Sequence, residues 1–161
     1  MPEFIVTQRG AVYPWECDHM GHMNVRWYAA KFDEACWQLL ASLALTRERF
    51  ARDGAGMAAV EQRTEYKREL HAGDVVTVRS TVVEVREKTI RMRHEMTNDV
   101  TGKLAAVTEI IAVHMGTSPR RSRCLPADVR ECAMMMVKGQ GGQTRGGRRA
   151  MTAAAGAASR R

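Results

Sequence analysis

At 161 residues the chain has the length of one ordinary domain and can bury a core of its own. Its composition, 45% apolar and 27% charged, fits a soluble globular protein, and no run approaches the roughly 20 uncharged apolar residues of a membrane span. The net charge of +7 invites a nucleic-acid reading, but residues 1–118 hold 15 Lys and Arg against 16 Asp and Glu, whereas 119–161 hold 10 against 2, so the reading is not expected of the folded part.

The start, MPEFIVTQRG, has no basic segment followed by an apolar run of signal length, which predicts a cytoplasmic protein. Phe4 to Trp15 reads as a strand, with Gly10 a candidate bulge. From Asn24 a helix follows: Tyr28, Phe32, Ala35, Cys36, Leu39, Leu40 and Leu43 recur at three-and-four spacing, with Arg26, Lys31, Glu34 and Gln38 largely off that stripe. A second short helix over Thr46–Arg52 ends at the Asp-Gly-Ala-Gly of 53–56. Four strands are predicted after it: Ala58–Leu70, Val75–Val85, Thr89–Met96 and Leu104–Met115. The third alternates Ile90, Met92, His94 and Met96 against Arg91, Arg93 and Glu95. Antiparallel strands in series beside one long helix predict an α+β domain whose sheet curls around that helix. The domain is expected to span 1–132, followed by a basic Gly/Ala/Arg-rich tail over 133–161 that is expected to be disordered from about 138. Cys17, Cys36, Cys124 and Cys132 lack the spacing of a disulfide frame and are read as free thiols.

Between the first strand and the long helix lies ECDHMGHMN, residues 16–24, with two carboxylates, a thiol and two histidines in nine positions. Three readings are open. Cys17, Asp18, His19 and His22 are competent metal ligands, but no second ligand pair appears at a metal-site spacing, so no metal is expected. A polar loop needs only Asp18 or Asn24 to cap backbone amides. The third reading sets a carboxylate before a helix whose free N–H groups can face a ligand, an arrangement suited to acyl chemistry.

The run VYPWECDHMGHMNVRWYAAKFDEA resembles the start of the hotdog-fold acyl-CoA thioesterases of the 4-hydroxybenzoyl-CoA thioesterase type, with their acidic-x-Asp-x-x-Gly-[His/Val]-x-Asn pattern before the central helix. TEYKRELHAGDVVTVRSTVVEV resembles that family's second and third strands, and RRSRCLPADV its ending. The resemblance implies a hotdog fold, an antiparallel sheet wrapped around one long central helix, and hydrolysis of an acyl-CoA thioester with no cofactor beyond the CoA of the substrate. It implies Asp18 as nucleophile or general base and the Val25 backbone amide as oxyanion donor, with Gly21, His22 and Asn24 around them. Glu61 or Glu65 would complete the substrate pocket across a homodimer or homotetramer interface, and Arg63, Lys67, Arg68, Arg91 and Arg93 stay open as partners for the CoA phosphates. A narrower likeness, through GHMN and VEQRTEYKRELHAGD, is to the thioesterase domain that accompanies carnitine dehydrogenases. It implies a small charged acyl group such as betainyl, with Trp15, Trp27 and Trp37 as an aromatic surface for it. The alternatives are a non-catalytic acyl-CoA-binding hotdog protein and a hotdog hydratase, whose own motif is absent.

Overall fold

The computed structural model describes residues 2–139; the tail expected to be disordered lies almost wholly outside them. The chain order is β1 (Ile5–Ala11), a single 3-10 turn (Pro14–Glu16), α1 (Val25–Ser42), α2 (Arg47–Asp53), β2 (Ala55–Tyr66), β3 (Val75–Val85), β4 (Thr89–Asn98), β5 (Lys103–Gly116) and α3 (Ala127–Lys138). The strands form one antiparallel sheet in the order β1-β3-β4-β5-β2, so the strand that follows the helices is an edge. Among the described residues no helix is long and apolar enough to cross a membrane.

The stripe on α1 behaves as its spacing predicts: Tyr28, Phe32, Ala35, Leu39, Leu40 and the C-cap Leu43 are buried. They meet two groups of sheet residues, Val76, Val78 and Met96 near the N-terminal half and Val82, Ile90, Met92 and Ile110 near the other. Lys31 is a correction, since it is buried although it lies beside the stripe; the long side chain folds under to a carboxylate and a carbonyl oxygen. Thr46 caps α2 through the Arg49 N–H, and Gly54, in the left-handed region, stops it where glycine was expected to turn the chain.

Three further expectations are revised. The bulge of β1 falls at Thr7, where the register shifts between Val6 and Gln8, whereas Gly10 pairs regularly with Val76. The bulge turns Thr7 inward, its hydroxyl 2.6 Å from that of Ser80. A second bulge, between Ala59 and Glu61, leaves Val60 unpaired in β2 and changes which residues face α1. The third is α3, which the sequence reading did not predict and within which the expected boundary at 132 falls. Its Val129, Ala133 and Met136 are buried against Leu39, Leu40, Val82 and Ile90, and Arg49 on α2 forms an ion pair with Asp128.

One polar group sits deep in this interior. His94, fully buried on β4, holds the Ser80 hydroxyl 2.6 Å from Nδ1, and its Nε2 has no partner among the described residues. Burial pushes its pKa down from 6.5 to about 4. The folded state therefore refuses a proton that the unfolded chain accepts, and stability falls as pH drops from 6.5 towards 4 and no further below that on this account. Urea melts across this window should show His94 contributing a loss of about 3 kcal/mol, and a folded His94→Phe variant should lack that part of the slope.

Candidate active site

The nonapeptide folds into a small closed turn. Cys17 and Met23 form an isolated antiparallel bridge, Asp18 N–H donates to the His22 carbonyl at 3.1 Å, and Gly21 N–H donates to the Asp18 carbonyl at 2.9 Å. Gly21 has φ +83°, a value that makes glycine the natural occupant, and among the described residues nothing beyond its two chain neighbours lies within 4 Å of where its Cβ would be. The turn is tied outward through Met23 N–H to the Leu70 carbonyl, 2.7 Å, and through Asn24 N–H to the Glu16 carbonyl, 2.9 Å.

Both oxygens of Asp18 are held. Oδ1 accepts from Met20 N–H and Oδ2 from the Asn24 side-chain amide, each at 2.9 Å. The Asn24 bond first, and the Met20 bond after it, keep the carboxyl below its usual pKa, with His19 and His22 adding a smaller effect in the same direction. A half-buried group with this support is an ionised oxygen at neutral pH. Asn24 also accepts from Arg26 N–H through Oδ1 at 3.1 Å, so it both caps α1 and orients Asp18. The two roles left open by the sequence are performed by the two ends of one amide.

Of the first helical amides, Arg26 N–H is taken by the Asn24 side chain and Trp27 N–H by the Asn24 carbonyl. The Val25 N–H has no acceptor among the described residues. It lies at the positive end of the α1 dipole, one residue from the amide that holds Asp18. Val25 borders an open groove of about 330 Å³ whose other walls include His22, Tyr28, Tyr66, Lys67 and Arg68. His22 Nε2 is 3.7 Å from Glu69 Oε1 across this groove, which places the imidazole at the groove wall.

Glu61 and Glu65 are not brought to this groove within the chain. The bulge at Val60 sets Gln62, Thr64 and Tyr66 opposite Ile110, Thr108 and Ala106, towards α1, where the Tyr66 ring meets that of Tyr28 edge to face at 5.2 Å. Glu61, Arg63 and Glu65 project from the other face, Glu65 paired with Lys67 and Arg63. Arg91 and Arg93 are paired on that outer face with Glu84, Glu95 and Glu109, so of the five basic candidates only Lys67 and Arg68 share the groove with Val25. The three tryptophans do not converge: Trp15 stacks on Tyr13, Trp27 lies under Arg26, and Trp37 borders a cavity of about 100 Å³ between α1 and β2. Among the described residues no group of three or more His, Cys, Asp and Glu side chains is placed to hold a metal ion, and the Cys17 thiol points to the Tyr13 carbonyl.

The sequence reading missed Glu16 as a buried residue and Tyr66 as a groove wall. Only the first had a local signal, an acidic residue within a capping turn beginning with Pro14.

A family model described as the thioesterase-like superfamily matches residues 12–132, which takes in the turn, all of α1 and most of the sheet. The chain belongs to the thioesterase-like superfamily. Among solved structures it is similar to the protein SAV2348 of Staphylococcus aureus, solved in complex with CoA, at 20% identity and TM-score 0.76 over 88% of this chain and 85% of that one. A 1,4-dihydroxy-2-naphthoyl-CoA thioesterase of Synechocystis aligns at 17% identity and TM-score 0.71 over 84% and 96%. These likenesses establish the fold, the α+β hotdog arrangement of this superfamily, with α1 as its long helix. No curated protein sequence gives a significant match.

Asn24→Ala removes the cap and the Asp18 partner together. The variant should lose about 1 kcal/mol of stability in denaturant melts. In a carbon-detected carboxyl titration its Asp18 midpoint should rise towards the ordinary carboxylate range, because the largest cause of the depression is gone.

Proposed function

We propose that this member of the thioesterase-like superfamily is an acyl-CoA thioesterase, hydrolysing an acyl-CoA thioester to the free acid and CoA. The observation that carries the reading is an ionised carboxylate, Asp18, fixed by Asn24 one residue from an unpartnered helix N-terminal amide, Val25 N–H. A thioester needs little more than this, since thiolate is a good leaving group. An oxygen nucleophile must reach the carbonyl carbon, and the charge that develops on the carbonyl oxygen needs a donor already in place.

In this mechanism Asp18 attacks the carbonyl carbon itself or takes a proton from the water that does. Negative charge passes to the carbonyl oxygen, which accepts from Val25 N–H at the positive end of α1. The C–S bond then breaks and CoA leaves as the thiolate. If water attacked, the free acid is already formed; if Asp18 attacked, the acyl group remains on it as a mixed anhydride that a water molecule hydrolyses to the free acid and the Asp18 carboxylate. The depressed pKa of Asp18 keeps the attacking group charged well into acid. Gly21 keeps the turn tight, and His22 stands on the groove wall within reach of the acyl carbonyl or the leaving sulfur. Coenzyme A enters as part of the substrate, with Lys67 and Arg68 the basic residues on the groove side for its phosphates.

The working unit is a homodimer. β2 is a twelve-residue edge strand with Val60 and Tyr66 exposed, and Val25 and Trp37 are exposed on α1. An exposed edge of this length is open to pairing with another strand, and a second copy of β2 would continue the sheet and wall the groove. In that assembly β2 contributes through Gln62 and Tyr66 on the inner face, with Glu61 and Glu65 left to the outer face of the joined sheet. The small cavity beside Trp37 has the Asp33 carboxylate in its lining, so a short cationic acyl group such as betainyl belongs in any substrate panel beside aliphatic and aromatic ones.

Thiol release from such a panel, followed with a chromogenic trap, should show turnover of at least one acyl-CoA. Asp18→Asn should lower kcat by at least about a thousandfold while acyl-CoA binding persists. On the acid side kcat/KM should fall only below the ordinary carboxylate range, because Asp18 must be protonated for activity to be lost. Tight binding of acyl-CoA without release of thiol would replace the hydrolase by a binding protein.

A further inference from the structure

The carboxylate two residues before Asp18 does not face the groove. Glu16 is 5% exposed and Lys31, on the second turn of α1, is 6% exposed. Glu16 Oε1 accepts from Lys31 Nζ at 3.0 Å, and Oε2 accepts from Tyr13 N–H at 3.0 Å. Lys31 Nζ also donates to the Ala11 carbonyl at 3.1 Å. One ion pair thus joins the end of β1, the 3-10 turn and α1. Stability alone is a weak reason for it, since a buried pair is often replaced by packed apolar side chains without loss.

Its place in the chain gives a better reason. The Glu16 carbonyl accepts from Asn24 N–H at 2.9 Å, and Asn24 is the residue that holds Asp18. Both ends of the nonapeptide therefore meet at Glu16, and Glu16 is fastened by Lys31 to the helix whose first amide is Val25 N–H. Without the fastening, the turn still meets the helix terminus through the bonds of Asn24 to Asp18 and to the Glu16 carbonyl, but among the described residues no other hydrogen bond or ion pair ties the turn to α1 beyond its first turn.

We propose that the buried Glu16–Lys31 pair is a positioning device that fixes Asp18 relative to the N-terminus of α1. The catalytic consequence rests on the hydrolase reading above; the geometric one does not. Neither residue borders the groove beside Val25. His19 and His22 surround Asp18 from its own turn and Glu69 faces His22 from the opposite loop, and all three remain in the variants below, so their titration is common to every sample.

The test uses the full chain as parent, Lys31→Met, and the double variant Glu16→Gln with Lys31→Met, which leaves no buried charge should the single one fail to fold. The first readout is a pH titration of the Asn24 side-chain NH2 signals by nitrogen-correlated NMR, with Asp18→Asn identifying the part due to Asp18. In the parent this step lies below the ordinary carboxylate range, and in a folded variant it should move up towards that range or vanish. The second is thiol release, where kcat should fall about a hundredfold with KM changed by less than about threefold. A pair that only stabilised the fold would lower the melting temperature and leave both the Asn24 titration and kcat at parent values in the folded double variant, and that result overturns the proposal. If the parent releases no thiol from any acyl-CoA, the hydrolase reading fails, and the Asn24 titration alone decides whether the pair positions Asp18.

Discussion

The side-chain amide of Asn24 makes two hydrogen bonds in opposite directions, accepting from Arg26 N–H and donating to Asp18. The first starts α1 at a defined residue, so that the next amide in line, Val25 N–H, is left over at the positive end of the helix. The second pins a carboxylate beside that terminus in its charged form. The carboxylate and the free amide that we propose as nucleophile and oxyanion donor are thus placed by one residue.

The larger fold explains why such a terminus is well defined. α1 is pressed across the inner face of the sheet by Phe32, Ala35 and Leu39, all fully buried, and its C-terminal half is closed by α3. Packing of that density leaves the helix little freedom to slide or rotate. The N-terminal half has a different boundary. There Tyr28 meets Tyr66 at the end of β2, an edge strand, and both rings border the open groove beside Val25. The Val25 end of the proposed site opens on a groove that a single chain leaves uncovered, which is why a second copy enters the functional proposal.

Local periodicity made much of this legible before any coordinates. The α1 stripe and the alternation of β4 are signals carried by neighbouring residues, and both appear as read, down to the inward His94. The motif at residues 16–24 likewise identified the turn, and the structure brings Asp18, Gly21, Asn24 and Val25 together. What the sequence concealed depends on partners far along the chain or on parity. Lys31 looked like a solvated flank because its carboxylate partner is fifteen residues away and its carbonyl partner twenty. Glu61 and Glu65 are expected to reach the pocket of a neighbouring subunit; within the chain the unpaired Val60 sets them on the face of β2 away from α1, and strand alternation carries no mark of such a bulge. α3 is divided between the expected domain and the expected tail because ADVRECAMMMVK is short and runs straight into a Gly/Arg-rich stretch, although Val129, Ala133 and Met136 recur at helical spacing.

The central claim is that the turn and the α1 terminus act on the two ends of one carbonyl. The most direct measurement is a crystal structure with an acyl-CoA analogue in which a methylene replaces the thioester sulfur, leaving a ketone that cannot be hydrolysed. The account predicts the ketone oxygen within hydrogen-bond distance of Val25 N–H, the Asp18 carboxylate or a water on it facing the carbonyl carbon, and the CoA portion leaving past Lys67 and Arg68. A ketone bound away from the α1 terminus, or an Asp18 carboxylate turned from the carbonyl with no water between them, would contradict it.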